Sequence, residues 1–234
     1  AGQGVSVWLQ TADYALLFDT GTEGAANMAV LPSLNAVGVR RLDALVLSHQ
    51  DADHDGGFAA VAQAKKPAVL WAGQPEFYPQ AQHCAEQSWQ WNGVHFEFLR
   101  PSDDFAGQSD NDQSCVLSVL AGSSALLLTG DLGQAGERAL VARYGEKLYS
   151  QVLLLGHHGS NSSSAGTFLN AVSPRYAVAS SGYANAYNHP APAVQARVRA
   201  HGGTLLRTDR QGALLFELGG EEVTTGRLKT WQPY

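Results

Sequence analysis

The chain has 234 residues and a formal net charge of −6, with 44% hydrophobic and 15% charged residues. These values exclude an intrinsically disordered chain and argue against a protein that coats nucleic acid through a broadly basic surface. No apolar run approaches the ~18 residues of a membrane-spanning helix, and the first residues do not resemble a secretory signal. Because the sequence starts as if cut just inside a strand, we expect a piece of a longer protein.

The first half of the chain predicts short strands alternating with helices. Three hairpins are expected, and one of them turns at Asn92-Gly93, a dipeptide typical of tight turns. Pro32 weakens the middle of the first predicted helix. The strands are predicted at residues 5–9, 14–18, 44–47, 68–71, 88–91, 94–99, 115–120 and 125–128, and the helices at 25–37, 58–65 and 134–144.

The second half continues in the same style. Strands are predicted at residues 152–155, 177–180, 205–207, 213–218 and 222–228, and helices at 165–172 and 192–201. The last helix begins at Pro192 and ends at Gly202-Gly203, which is the usual punctuation of a helix. This order fits a layered α/β architecture, a four-layered αββα sandwich, in one domain over residues 1–234. Composition alone does not separate it from a doubly wound sheet.

The chain contains two cysteines, Cys84 and Cys115. A single disulfide and two free thiols are both compatible with the sequence. Two residues so far apart form neither a disulfide framework nor a cysteine-rich zinc site. We favour free, structural cysteines.

Residues 44–57, ALVLSHQDADHDGG, carry the clearest chemical pattern in the chain. A predicted apolar strand ends at Ser48, and four potential metal ligands follow within six residues: His49, Asp51, Asp53 and His54. Imidazole and carboxylate groups at this density can serve two divalent ions. A chance cluster in a polar loop is the weaker interpretation.

This segment resembles the His-x-His-x-Asp-His motif of the metallo-β-lactamase superfamily, with Asp51 in place of the second histidine. Three further segments resemble motifs of that superfamily in the same order: LLFDTG at 16–21, LTGD at 128–131 and LGHHGS at 155–160. The resemblance implies the αββα fold and two bound cations. It implies that Asp19 orients the histidine loop, Asp131 bridges both cations, and Asp53, His54 and His157 hold the second cation.

A lone histidine that usually precedes the bridging aspartate is absent, and Asn111-Asp112-Gln113-Ser114 occupies that region. The first cation would then have His49, Asp51 and Asp131 as ligands, with Asn111 or Asp112 as further candidates. More oxygen ligands favour a harder ion, so manganese rivals zinc.

The whole chain is also similar to the carboxy-terminal domain of the ComEC competence proteins. The motifs of this resemblance are Gly2-Gln3-Gly4, Asp19, His49-x-Asp51-x-Asp53-His54, Asn111-x-x-Ser114, Thr129-Gly130-Asp131, His157-His158-Gly159-Ser160, Ser180-Ser181-Gly182, Asn188-His189-Pro190 and Thr208-Asp209-x-x-Gly212. The resemblance implies a metal-dependent nuclease that degrades the non-imported DNA strand during natural transformation. It implies an extracytoplasmic domain of an inner-membrane protein, with single-stranded DNA, the membrane channel of the same polypeptide and other uptake proteins as partners.

Within such a site, Asp53, His158 and His189 are the candidate catalytic residues. His158 or His189 would stabilise the transition state or protonate the leaving oxygen. Asp209 is a candidate partner of a histidine, and Ser160 either binds phosphate oxygens or caps a helix. Tyr183 and Tyr187 either stack on bases or pack their loop. Candidate contacts to a nucleic-acid backbone are Lys65, Lys66, Arg197, Arg199, Arg207 and Arg210.

Two other functions remain open at this point. The same fold hosts many chemistries, so a hydrolase of small phosphoesters is possible. A non-catalytic module that binds DNA or supports the channel is the third possibility.

Overall fold

The computed structural model describes residues 4–85, 87–101, 109–220 and 223–227. Fourteen strands and seven α-helices lie in these ranges. The strands are β1 Val7–Gln10, β2 Ala15–Phe18, β3 Ala44–Leu47, β4 Val69–Ala72, β5 Gln82–His83, β6 Ser88–Trp91, β7 Val94–Leu99, β8 Val116–Ala121, β9 Ser124–Leu128, β10 Val152–Leu154, β11 Tyr176–Ala179, β12 Thr204–Arg207, β13 Leu214–Glu217 and β14 Thr224–Arg227. The helices are α1 Glu23–Ala25, α2 Leu31–Ala36, α3 Phe58–Lys65, α4 Gln134–Tyr144, α5 Gly166–Val172, α6 Pro192–Ala200 and α7 Thr208–Gln211.

Two mixed sheets form the centre of the fold. One sheet has the order β1-β2-β3-β4-β5, and the other has the order β12-β11-β10-β9-β8-β7-β6. The strands β2 to β5 are parallel to one another, as are β9 to β12. β13 and β14 pair separately as an antiparallel ribbon.

Alternating side chains of the central strands enter different cores. In β2, Leu16 and Phe18 face the core between the sheets, whereas Leu17 packs among residues of the outer helical layer. In β10, Leu154 faces the central core and Leu153 faces helices α4 to α6. A strand buried on both faces is apolar throughout, which explains why these runs do not alternate with polar residues. The layers therefore run helix, sheet, sheet, helix, and the predicted αββα sandwich is confirmed.

The first predicted helix, residues 25–37, is modified around Pro32. The helical segment begins earlier, at Glu23, where the Thr22 hydroxyl accepts from the backbone N–H of Ala25 at 3.1 Å. It runs through a π-helical turn over Ala26–Val30 before α2. Pro32 has no backbone N–H to continue the α-helical ladder, and the wider turn precedes it.

The two cysteines are joined in a disulfide, so the expectation of free thiols is wrong. Cys84 follows β5 and Cys115 precedes β8, with their Cα atoms 5.8 Å apart. The bond therefore links the two sheets. Neighbouring positions of residues this distant in sequence arise only from the tertiary packing of the sheets.

The other predicted strands and helices agree with the observed elements to within two residues at each end, whereas β5 and α7 were not predicted. Asn92 and Gly93 both have positive φ, as the tight turn between β6 and β7 requires. Of the last predicted strand, positions 224–227 form β14, while residues 222 and 228 lie outside the described residues, as do Gly2 and Gln3. Within the described ranges, none of the helices combines the length and hydropathy needed to cross a bilayer.

Candidate metal centre

The carboxyl ends of β2, β3, β9 and β10 bring the predicted site residues together. Parallel strands of one sheet end at the same edge, so the loops that follow them meet. Gly130 permits a close approach of two loops, because a Cβ there would lie 2.8 Å from the Oγ of Ser114 and the Cβ of Ser48. The loop that carries Asp131 thus packs directly against the loop that carries His49.

The carboxylate of Asp19 contacts the histidine loop directly. Its buried carboxylate accepts from the Ser48 backbone N–H at 2.6 Å and from the Ser48 hydroxyl at 2.8 Å. It also lies 2.8 Å from His54 Nδ1. We infer that this nitrogen carries the proton and donates a hydrogen bond to Asp19, which leaves the Nε2 lone pair of His54 free for a ligand.

His158 is oriented in the same way by a backbone group. Its Nδ1 lies 2.8 Å from the carbonyl oxygen of Ser180 and donates to it. Its Nε2 then faces the Nε2 of His54 at 3.3 Å. Two lone pairs this close repel each other unless a cation or a proton lies near both.

Two carboxylates complete this electron-rich region. Asp131 Oδ1 lies 3.1 Å from His54 Nε2, and Asp53 Oδ2 lies 3.0 Å from His158 Nε2. Burial opposes charge on His54, but the carboxylates of Asp19 and Asp131 raise its pKa well above the usual value. Burial likewise opposes charge on Asp131, yet His54 and His158 hold its pKa well below the usual range. Both shifts favour the charged forms, because imidazole and carboxylate groups lie close together here.

The described residues contain two groups of three potential metal ligands. His49, His54 and Asp131 form one group, and all three are buried. Asp53, His54 and His158 form the other, and in each group the ligand atoms lie within 4.8 Å of one another. His54 belongs to both groups, so the two candidate positions are adjacent.

Two buried atoms of the first group make no hydrogen bond within the part of the chain that the structure describes. They are His49 Nε2 and Asp131 Oδ1. The Nδ1 of His49 contacts the Ser48 hydroxyl at 3.0 Å, so its other ring nitrogen is directed into the cluster. Buried polar atoms nearly always have partners, and a bound cation would supply one for both atoms. The donor set, imidazole nitrogen and carboxylate oxygen, therefore fits divalent metal ions.

His157 occupies the rim of the centre rather than its interior. Its side chain is 34% exposed, and its Nε2 lies 3.9 Å from Asp131 Oδ2. Its Nδ1 contacts Ser162 Oγ at 3.2 Å and Asn111 Nδ2 at 3.4 Å. His157 and His158 both have positive φ, a costly conformation for residues with side chains that is often kept at functional sites. Of the two neighbours, His158 belongs to a group of three potential metal ligands among the described residues and His157 does not.

Asp51 is exposed and belongs to neither group of three. One of its carboxylate oxygens accepts from the backbone N–H of Ala52 at 2.9 Å. Ser114 holds the opposite side of the centre, since its hydroxyl accepts from the Asp131 backbone N–H at 3.0 Å. Ser160 braces the rim, and its hydroxyl accepts from that of Ser162 at 3.0 Å.

His189 stands at the edge of the centre. Its ring centroid lies 5.8 Å from that of His157 and 6.3 Å from that of His158. Burial and the charges of these two histidines lower the pKa of His189. It is therefore close enough to the candidate ligands to face a substrate bound there.

Asp209 and two arginines have partners other than those expected. Asp209 forms a two-point ion pair with Arg207, at 2.9 and 2.7 Å, and not with a histidine. Arg197 donates to the carbonyl oxygens of Ser164 and Ser163 at 2.9 and 3.0 Å. The expected roles of Arg197 and Arg207 as nucleic-acid contacts are not supported, because both guanidinium groups brace the fold.

Lys65 is also structural. It is buried, and its ammonium group donates to Asn35 and to the carbonyl oxygen of Val39. Burial lowers the pKa of Lys65.

Sequence reasoning missed the role of Ser48. Its hydroxyl lies within 3.0 Å of His49 Nδ1 and 3.2 Å of His54 Nδ1 as well as donating to Asp19. It thereby connects both histidines to the orienting carboxylate. A polar residue directly between a buried strand and His49 was the available signal.

The fold and the centre define a metallo-β-lactamase-type protein, and comparison with known families agrees. Residues 1–183 match the Metallo-beta-lactamase superfamily, and the chain belongs to this superfamily. The structure is similar to the metallo-beta-lactamase fold protein YhfI from Bacillus subtilis, with a TM-score of 0.59 and 14% identity, covering 96% of this chain and 92% of that one. At this identity the likeness concerns the fold alone.

The chain is also similar in sequence to named proteins. The chain is 64% identical over its whole length to competence protein ComA of Neisseria gonorrhoeae, of which it covers 34%. It is 30% identical to ComE operon protein 3 of Bacillus subtilis, covering 88% of this chain and 28% of that protein. The chain thus spans about a third of the length of these curated relatives.

Proposed function

We propose that this chain is a metal-dependent nuclease domain that hydrolyses phosphodiester bonds of the non-imported DNA strand during DNA uptake. The observation that carries the proposal is the pair of adjacent ligand groups that share His54. The relatives named competence protein ComA and ComE operon protein 3 support DNA as the substrate class.

The ligands are assigned from the contacts above. His49 and Asp131 would hold one cation, and Asp53, His54 and His158 the other, with Asp131 lying between them. Two divalent ions, manganese or zinc, would supply Lewis-acid activation of the phosphodiester and a water of lowered pKa. The mixed nitrogen and oxygen donors suit either metal.

The surrounding residues bind and orient. Asp19 and the Ser180 carbonyl fix the rings of His54 and His158, and Ser114 fixes the backbone at Asp131. Such supporting bonds keep a catalytic centre rigid. His189, at the edge, is placed to give a proton to the leaving oxygen of the cleaved strand.

The context of the domain belongs to the same proposal. Because the relatives are about three times longer, we infer that the domain is part of a longer protein. The resemblance to the ComEC domain leads us to propose that it forms the carboxy-terminal, extracytoplasmic part of an inner-membrane protein. Its partners would be single-stranded DNA, the channel portion of the same polypeptide and other uptake proteins.

The test is cleavage of end-labelled DNA by the purified domain with manganese or zinc. Wild type should produce a ladder of products, and His54→Ala should produce none. His95→Ala is the matched control, since His95 lies in β7 outside both ligand groups and its loss should leave cleavage unchanged. Cleavage by His54→Ala at the wild-type rate would refute the site. Hydrolysis of bis-nitrophenyl phosphate without DNA cleavage would instead identify a small-phosphoester hydrolase.

A further inference from the structure

We propose, on the basis of the proposed function, that Tyr187 stacks on an unpaired nucleobase and thereby makes the centre select single-stranded nucleic acid. Tyr187 and its neighbour Tyr183 lie in the loop between β11 and α6. Their relative exposures are 70% and 85%, so neither ring is packed into the loop. Aromatic rings exposed beside a phosphodiester site are the usual platforms for single strands.

The rings near the centre form a stack that leads to the candidate ligands. Tyr187 stacks on His189, with centroids 5.6 Å apart and planes at 24°. His189 stacks in turn on His158, at 6.3 Å and 16°. A base added on the outer face of Tyr187 would extend this series of nearly parallel rings. Its neighbouring phosphate along the strand would then lie toward the centre.

Hydrogen bonds fix the backbone of the loop around Tyr187 before a ligand arrives. The Asn185 side chain donates to the carbonyl oxygens of Gly182 and His189 at 3.1 and 2.9 Å, and it accepts from the His189 backbone N–H at 2.8 Å. The backbone N–H of Asn188 donates to the Asn185 carbonyl oxygen at 3.2 Å. A loop whose backbone is already fixed loses less conformational freedom on binding, so more of the stacking energy contributes to affinity.

Stacking on Tyr187 distinguishes strands by the state of their bases. In a duplex each base face is already covered by its neighbours, and exposing one base requires unstacking and unpairing. A single strand offers its base faces without that cost. The preference would be independent of sequence, because every base has an aromatic face.

The experiment measures binding without cleavage. Fluorescence anisotropy in EDTA would compare a labelled thymidine decanucleotide with a strand of equal length that lacks all bases. Wild type should bind the thymidine strand between about 5-fold and 150-fold more tightly, the range given by one stacked base. Tyr187→Ala should bind both strands equally, and Tyr187→Phe should keep the preference because it keeps the ring.

Tyr149→Ala is the matched control. Tyr149 is 53% exposed and precedes β10, at the opposite end of the strand from the centre, so its loss should leave the preference intact. The proposal would be overturned if wild type bound the two strands equally or bound neither measurably. It would also be overturned if Tyr187→Ala kept the preference for the thymidine strand. Base-dependent binding by a wild type that cuts no DNA with added metal would refute the nuclease function and leave this subsite standing.

Discussion

Reduction of the Cys84–Cys115 disulfide should destabilise the protein by an amount that follows from the loop it closes. The cysteines are 31 residues apart in sequence. A cross-link over such a loop restricts the unfolded chain and contributes about 3.7 kcal/mol to the free energy of unfolding. For a domain of this size that energy corresponds to a fall in melting temperature of about 7–15 °C.

The measurement is urea unfolding followed by tryptophan fluorescence, with and without a reductant. Both cysteines are buried, so reduction keeps their side-chain volumes in the core while it removes the constraint. The Cys84→Ala/Cys115→Ala double variant provides a second route to the same loss and should not respond to the reductant. If the free energies of unfolding of oxidised and reduced wild type agreed within about 1 kcal/mol, the predicted role of the disulfide would be refuted.

Two further variants test the support around the centre and the packing behind it. Asp19→Asn replaces one acceptor oxygen with a donor amide beside His54. This change should lower metal affinity about 10- to 100-fold, measured by competition with a chelating dye. An unchanged affinity would show that Asp19 does not orient the ring. Glu137 is buried and accepts from the backbone N–H groups of Ser164 and Ala165 at 2.6 and 2.8 Å. Glu137→Gln should therefore leave one donor unpaired and lower the free energy of unfolding by about 1–3 kcal/mol at pH 8, and a variant as stable as wild type in urea would contradict this.

Local pattern was sufficient to predict most of the fold. Strands such as Ala44–Leu47 are short, fully apolar and bounded by polar or glycine residues, and the structure places them as predicted. Helix α6 begins at Pro192 and ends at Ala200, shortly before Gly202, as the positions of proline and glycine indicate. The π-helical turn before Pro32 was less accessible, because it depends on how a continuous helix adapts to one missing N–H.

Features that depend on tertiary position were harder to predict. The disulfide requires the ends of β5 and β8 to meet, which no local pattern encodes. The adjacent pair His157-His158 illustrates the same limit, since both residues carry identical side chains. Only the backbone conformation and the Ser180 carbonyl decide which ring is directed inward.

The partners of charged residues also differ in how far local sequence predicts them. The superfamily resemblance implied a position for Asp19 beside the histidine loop, and its carboxylate contacts Ser48 and His54 there. Asp209 lies in an equally suggestive position, yet Arg207, two residues away, occupies its carboxylate. Competition between nearby charges is decided by side-chain geometry that the sequence does not specify.

We propose above all that distant loops converge to hold two divalent ions, with His158 as a ligand and His157 at the rim. The most direct test is the metal content of purified protein loaded with zinc or manganese and then freed of excess metal by gel filtration. We predict two ions per chain for wild type and for His157→Ala, and fewer for His158→Ala. Wild-type protein without bound metal would contradict this proposal. It would also be contradicted if His158→Ala kept two metal ions per chain while His157→Ala lost metal.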